Sequence, residues 1–211
     1  MVIAPHIDDE VLGCGGSLAK HRLQGNDVQV AYLTSGANDE ETRTRENEAR
    51  DVCSFLDIRV YHFFRMPSRG IQKNEGSVRE MVRLFRDFKP HIVYAPHKEE
   101  ADLDHRAAHD IVTVAVWSAN GPYFPEVLGP CSIKGVLLYE VHTPIQHIQY
   151  LEDITTGIEK KREAIRHYRS QQGELYAEAI LALNRYRAIM KGVGEYAEAF
   201  QMTMFRNMFG G

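Results

Sequence analysis

The chain has 211 residues, 44% hydrophobic and 26% charged, which is enough for one sizeable core and too few for two. Its net charge of -4 argues against a nucleic-acid-binding footprint, and no apolar run approaches the roughly 18 residues of a membrane span. Cys14, Cys53 and Cys131 are scattered and odd in number, so no disulfide framework is expected; with no basic-then-apolar leader, they point to a reducing cytoplasm.

"MVIAPH" reads as a buried strand ending at His6, and "EVLGCGGSLAKHRLQG" as a helix stopped by Gly25. "DVQVAYLT" is a second strand, followed by the turn-rich "SGAND". A helix is expected over residues 42–56, where Ala49, Val52, Cys53 and Leu56 fall at the spacing i, i+3, i+4, i+7. "RVYHFF" is a third strand. In "SVREMVRLFRDFKP", Val78, Met81, Val82, Phe85 and Phe88 form another helical stripe, closed by Pro90. "HIVYAP" is a strand, followed by a polar loop and a helix around "HRAAHDIVTVAVWSA". The Pro/Gly-rich "GPYFPEVLGP", residues 121–130, reads as a loop near the site, and "GVLLYEVH" as a strand ending at His142. From about residue 152 the chain reads as helical, with Ile154, Ile158, Ile165 and Tyr168 in one helix and Leu175, Ala179, Leu183 and Tyr186 in the next. No internal repeat or low-complexity tract interrupts this order.

Strands alternating with helices imply βαβ units, hence an α/β fold with a mostly parallel sheet covered on both faces, in one domain spanning residues 1–211. Ligands of such sheets bind beyond the carboxyl ends of the strands. His6, residues 35–38, His97 and His142 are all expected on that edge.

Ten histidines is a high count for this length, so metal or acid–base chemistry is worth testing. In "APHIDDEVLGCGG", residues 4–16, Asp8 and Asp9 are adjacent like charges, which repel unless a cation or proton lies between them. At a strand-to-helix junction their side chains diverge. One can ligate a metal while the other reaches a water. A catalytic zinc takes three N/O ligands and leaves a position open; His6, Asp9 and His105, the last from "DLDHRAAHD", supply that set. Such an ion lowers the pKa of a bound water toward neutrality, and Asp8 is placed to take its proton as general base. The bland alternative is that these acids only complement the helix dipole, and "HxxxH" also describes two surface histidines. Gly13, Gly15 and Gly16 sit too deep in the helix for a phosphate cradle and lack the G-x-G-x-x-G order. Close packing of helix on sheet is their expected role.

"APHIDDEVLGCGG" with "DLDHRAAHD" resembles the zinc-dependent N-deacetylases of the LmbE / PIG-L family. "RENEARDVCSFLDI", "KPHIVYAP", "KKREAIRHYRSQ" and "RYRAIMKGVGEYAEAF" also resemble family segments in the expected order, so nearly the whole chain is covered. The resemblance implies a Rossmann-like three-layer sandwich and removal of an acetyl or related acyl group from an N-acetylglucosamine-type sugar or glycoconjugate. It makes His6, Asp9 and His105 ligands of Zn²⁺, or of another divalent transition metal such as Fe²⁺, and Asp8 the general base. It gives Arg45 a substrate hydroxyl, against a plain surface salt bridge to Glu41 or Glu48. His109 is read as a supporting rather than ligating residue, and Gly36 and Asn38 as shaping their loop.

Three features depart from the family pattern. Ile7 stands where proline is common, which loosens the turn. Asp102 stands three before His105, where many members carry a histidine that protonates the leaving amine or polarises the carbonyl; an ionised aspartate cannot donate. His142 is the candidate replacement, against a histidine satisfied by local backbone. The first strand is also short, with five residues before His6, which leaves room for a longer natural N-terminus. Family members often form homo-oligomers, and Tyr123, Phe124 and "MTMFRNMFGG" offer apolar surface for a second copy, or for core or pocket lining. Specificity is expected in the loops at residues 68–76 and 119–130. Two rivals stay open at this stage: a metallophosphoesterase, and a small-molecule-binding module with a vestigial metal site.

Overall fold

The computed structural model describes residues 1–58 and 60–205. In chain order the elements are β1 (Val2–Ala4), α1 (Asp9–Leu23), β2 (Gln29–Tyr32), α2 (Asp39–Phe55), β3 (Val60–Phe63), α3 (Glu75–Phe88), β4 (Ile92–Pro96), α4 (Leu103–Asn120), β5 (Gly135–Tyr139), β6 (Tyr150–Asp153), α5 (Ile158–Arg166), α6 (Gly173–Lys191) and β7 (Ala197–Phe205). They build one seven-stranded sheet in the order β3-β2-β1-β4-β5-β7-β6, with two added 3-10 turns. The first five strands of that order are parallel; β7 runs antiparallel to β5 and β6. The expected three-layer α/β architecture is therefore present. One core packs the Ala49/Val52/Cys53/Leu56 stripe of α2, with residues of α1, α5 and α6, onto one sheet face. The other packs Val78, Met81, Val82 and Phe85 of α3, with α4, onto the opposite face.

The order of the sheet decides where a site can form. From β1 the chain steps outward to β2 and β3, then crosses back to place β4 on the other side of β1. The connections leaving β1 and β4 therefore diverge at their carboxyl ends and open a crevice between them. His6 follows β1, and the start of α4 follows β4.

α1 crosses the sheet at close range. A Cβ on Gly13 would overlap the ring of Tyr139, and one on Gly16 would lie 2.6 Å from Ile154 Cβ, so close packing explains these glycines as expected. The helix is also broken at Cys14, with φ -142° and ψ 20°. A break exposes helical N–H and C=O groups in a buried place, where an unpaired polar group is costly. Glu198 of β7 accepts from the N–H groups of Gly16 and Ser17 at 2.8 and 2.9 Å, while Lys161 Nζ donates to the Leu12 carbonyl at 2.9 Å. These two fully buried charges pair at 2.7 Å.

Three expectations need correction. The region after residue 152 is not wholly helical: β7 lies inside the sheet and β6 forms its edge. Of the expected α6 stripe, Leu175, Ala179 and Tyr186 are exposed and Leu183 is half-buried, because another face, with Ala177, Ile180, Leu181 and Ala188, packs on the core. Residues 121–130 do not lie near the candidate site. α4 begins beside it and runs 18 residues, about 27 Å at 1.5 Å per residue, so this loop sits at the amino edge of the sheet. There the buried Arg86 guanidinium donates to carbonyls of the 118–128 segment, including Ser118 at 3.0 Å and Gly121 at 2.9 Å. Tyr123 is exposed and packs its ring at a tilt against Trp117 in this region, centroids 4.2 Å apart. No described helix is long and apolar enough to cross a membrane. Residues 206–211, within the apolar tail expected to serve a second copy, lie outside the described residues.

Candidate metal centre

His6 and Asp9 stand on the sharp turn from β1 into α1, and His105 on the first turn of α4. The three converge. His105 Nε2 lies 3.1 Å from Asp9 Oδ2 and 3.3 Å from His6 Nδ1, and His6 Nδ1 lies 3.4 Å from Asp9 Oδ2. Donor atoms about 2.0–2.1 Å from a tetrahedral zinc are separated by ~3.4 Å, so this triangle matches one face of such a coordination shell. The group could hold a metal ion.

The electrostatics point the same way. Burial by itself would lower the His6 pKa, but bonds and charge from Asp9 and Asp104 outweigh it and raise it to about 9. His105 is likewise raised, burial being overcome by Asp9. Burial would raise Asp9, yet His105 and His6 pull it well below the usual carboxylate range. All three shifts mark a site whose surroundings favour positive charge.

Carboxylates outside this triangle orient its members. Asp104 Oδ2 lies 3.2 Å from His6 Nε2 and also accepts from Arg69 N at 2.6 Å, while Oδ1 accepts from Ile71 N at 3.1 Å. A neutral His6 donating Nε2–H to Asp104 leaves its Nδ1 lone pair facing His105 and Asp9. His105 Nδ1 is buried without a hydrogen-bond partner among the described residues, and Glu100 Oε2 lies 3.8 Å away. The buried Glu100 also accepts from the N–H groups of Val141, His142 and Thr143 at 2.6, 3.2 and 3.2 Å, which fixes the segment after β5. Sequence reasoning missed both carboxylates. "DLDH" carried a local signal for Asp104; for Glu100 the local signal was the nearby His97, 3.5 Å away, while the N–H groups it accepts from lie some 40 residues on.

Asp8 adopts φ 125° and ψ -25°, a conformation that non-glycine residues rarely occupy. Burial, then the carboxylates of Asp9 and Glu10, push its carboxyl well above the usual range. Glu10 is itself buried, raised by that burial to about 7, and bonded by the Tyr168 hydroxyl. The exposed His142 ring lies 5.1 Å from that of His105, centroid to centroid, so the fold brings this candidate to the site. Arg45, on α2, pairs with Glu41 at 3.4 Å and not with Glu48, which instead accepts from Ser170. Its Nε is buried without a partner among the described residues, and its positive charge counters the upward shift of Asp8. His109 donates Nδ1–H to the Pro96 carbonyl at 3.1 Å, outside the triangle. Asn38 caps α2 by accepting from Glu41 N at 3.0 Å.

Asp102 and Asp104 form a second acidic group with His6. Asp102 Oδ1 caps α4, accepting from the N–H groups of Asp104 and His105 at 2.7 and 3.2 Å. Burial would raise Asp102; the bond from His105 N and the nearby imidazoles hold it below the usual range. Its Oδ1 is engaged by backbone, as are both oxygens of Asp104. This second group could also hold a metal ion.

Fold and site together define a Rossmann-like α/β protein with a candidate metal centre at the switch point of its sheet. The family model for PIG-L, GlcNAc-PI de-N-acetylase, matches residues 1–116, more than half of the chain, and the chain belongs to the PIG-L family. It is 28% identical to diacetylchitobiose deacetylase of Thermococcus kodakarensis, over 96% of this chain and 82% of that protein. It is 27% identical to 1D-myo-inositol 2-acetamido-2-deoxy-alpha-D-glucopyranoside deacetylase of Rhodococcus opacus, over 63% of this chain and 58% of that one. Among solved structures, the conserved protein TT1542 from Thermus thermophilus superimposes with a TM-score of 0.87 at 28% identity, covering 98% of this chain and 94% of that one.

Proposed function

We propose that the chain is a metal-dependent N-deacetylase that removes the acetyl group from an N-acetylglucosamine-type sugar or glycoconjugate. The observation that carries this reading is the 3.1–3.4 Å triangle of His6, Asp9 and His105 beside an Asp8 carboxyl of raised pKa. Membership of the PIG-L family and the deacetylase activities named for two relatives support the substrate class.

His6 Nδ1, Asp9 Oδ2 and His105 Nε2 would hold Zn²⁺, or another divalent transition metal such as Fe²⁺. When bound, the ion polarises the acyl carbonyl and lowers the pKa of a coordinated water. Asp8 removes a proton from the attacking water and returns it to the departing amine. His142, held by Glu100 through its backbone N–H, donates a hydrogen bond to the developing oxyanion. Arg45 binds a sugar hydroxyl. Asp102, an acceptor in its observed role, takes no part in proton donation.

Acetate release across a panel of N-acetylated sugars tests this reading, with the protein as purified, after chelation, and after zinc is restored. Expected is release that chelation abolishes and zinc restores. Equal release with and without chelator would sink the metal-dependent reading. No release from any member would sink the substrate class.

A further inference from the structure

The peptide unit that joins Ile7 to Asp8 sits between His6 and Asp9, and its orientation sets where the Asp8 carboxylate points. Asp8 holds φ 125°, a conformation that persists only where its surroundings over-determine it. Ile7 supplies no ring constraint of the kind proline would. The restraint comes from elsewhere, and both polar groups of this one peptide carry it. The Ile7 carbonyl accepts from Gln171 Nε2, and the Asp8 N–H donates to Glu10 Oε2 at 3.3 Å. Glu10 is in turn bonded by the Tyr168 hydroxyl. Both restraints therefore lead to a single 3-10 turn and the residue before it, residues 168–171. The same turn is tied to α2: Glu48 accepts from Ser170 N at 2.8 Å and from Ser170 Oγ at 2.6 Å, one helical turn from Arg45. This segment lies outside the residues matched by the family model.

We infer that Gln171 is a positioning residue for the hydrolytic step, fixing the Ile7–Asp8 peptide and through it the Asp8 carboxylate, with Tyr168 bracing the same peptide through Glu10. The role assigned to Asp8 rests on the function proposed above; the restraint on the peptide does not. His6 and Asp9 keep anchors of their own, since His6 N donates to Asp9 Oδ2 at 2.8 Å and His6 Nε2 lies 3.2 Å from Asp104. Losing the Gln171 bond therefore turns Asp8 while leaving the metal-binding triangle assembled.

The test compares Gln171→Met, of similar shape without a donor, with Gln171→Lys, which restores one, each in the zinc-loaded full chain. Misplacing a catalytic group by about an ångström costs up to ~100-fold in rate, so Gln171→Met should lower kcat for acetate release about 10–100-fold. KM, zinc affinity and Tm should stay near parental values, and Gln171→Lys should recover most of the lost kcat. Amide hydrogen exchange of residues 5–12 is read in parallel and needs no substrate. It should accelerate about tenfold in Gln171→Met and return toward parental rates in Gln171→Lys. If the parental chain releases no acetate, the deacetylase reading fails, and the exchange measurement alone decides the restraint. Parental exchange in Gln171→Met overturns the restraint; parental kcat with accelerated exchange overturns its role in catalysis. Equal losses of kcat and Tm in both variants would reduce Gln171 to bulk packing.

Discussion

Replacing Asp104 with asparagine probes how the centre is oriented without touching an atom of the metal-binding triangle. Asp104 accepts from three donors: His6 Nε2 at 3.2 Å, Arg69 N at 2.6 Å and Ile71 N at 3.1 Å. Asparagine keeps one acceptor oxygen and gains an NH₂ group. With that oxygen facing His6 and Arg69, the NH₂ meets the Ile71 N–H; flipped, it meets His6 and Arg69. Either arrangement sets donor against donor, at about 1–3 kcal/mol for a buried group left unpaired. In the flipped arrangement His6 also loses the acceptor that keeps its proton on Nε2, so the tautomer with Nδ1 free for a cation is no longer favoured. Removing such orienting carboxylates typically weakens metal binding 10–100-fold, about 1.4–2.8 kcal/mol. Competition for zinc against a chromophoric chelator, at one pH and with circular dichroism as a check on folding, measures this directly. A folded Asp104→Asn protein that binds zinc as tightly as the parent would refute the orienting role.

Other outcomes follow from the same geometry. Asp8→Ala should cut turnover by about 10²–10⁴-fold while metal content by elemental analysis stays near parental; a variant turning over at the parental rate removes Asp8 as general base. In the metal-free chain, His6 is raised from an ordinary value near 6.5 to about 9. Its contribution to stability is therefore fully present below about pH 6.5 and lost as pH rises through about 9, a change of roughly 3 kcal/mol. Urea titrations of the chelated protein at pH 6.5 and 9.5 should show that decline; a flat profile would contradict it. Lys161→Met leaves Glu198 without its cation partner inside the core, and urea unfolding should show a loss of about 3 kcal/mol. Adding Glu198→Gln to it should recover part of that loss, and a Lys161→Met chain as stable as the parent would show the pair to be idle.

The α/β alternation, the helical stripes of α2 and α3, and the His6–Asp8–Asp9 cluster are legible in the order of residues alone. These features are local: a side chain's face follows from a period of 2 or 3.6, and three residues on one turn cannot be far apart. His105 was legible for a related reason, since it follows a second strand whose carboxyl end lies on the same edge of a parallel sheet. The order of the sheet also decides against residues 121–130, because a segment entered from a helix lies at the amino edge. That β7 is a strand emerges only once the chain is packed. Ala197, Glu198, Ala199 and Phe200 are all buried, so Glu198 does not mark a solvent face as a polar residue in a strand usually does, and it is tolerated because Lys161 and the broken helix α1 meet it there. The partners of Glu100, Asp104 and Gln171 likewise come from distant parts of the chain. A carboxylate or amide looks the same in sequence whether it faces water or braces a metal site; which of the two it does depends on the chain segments folded against it.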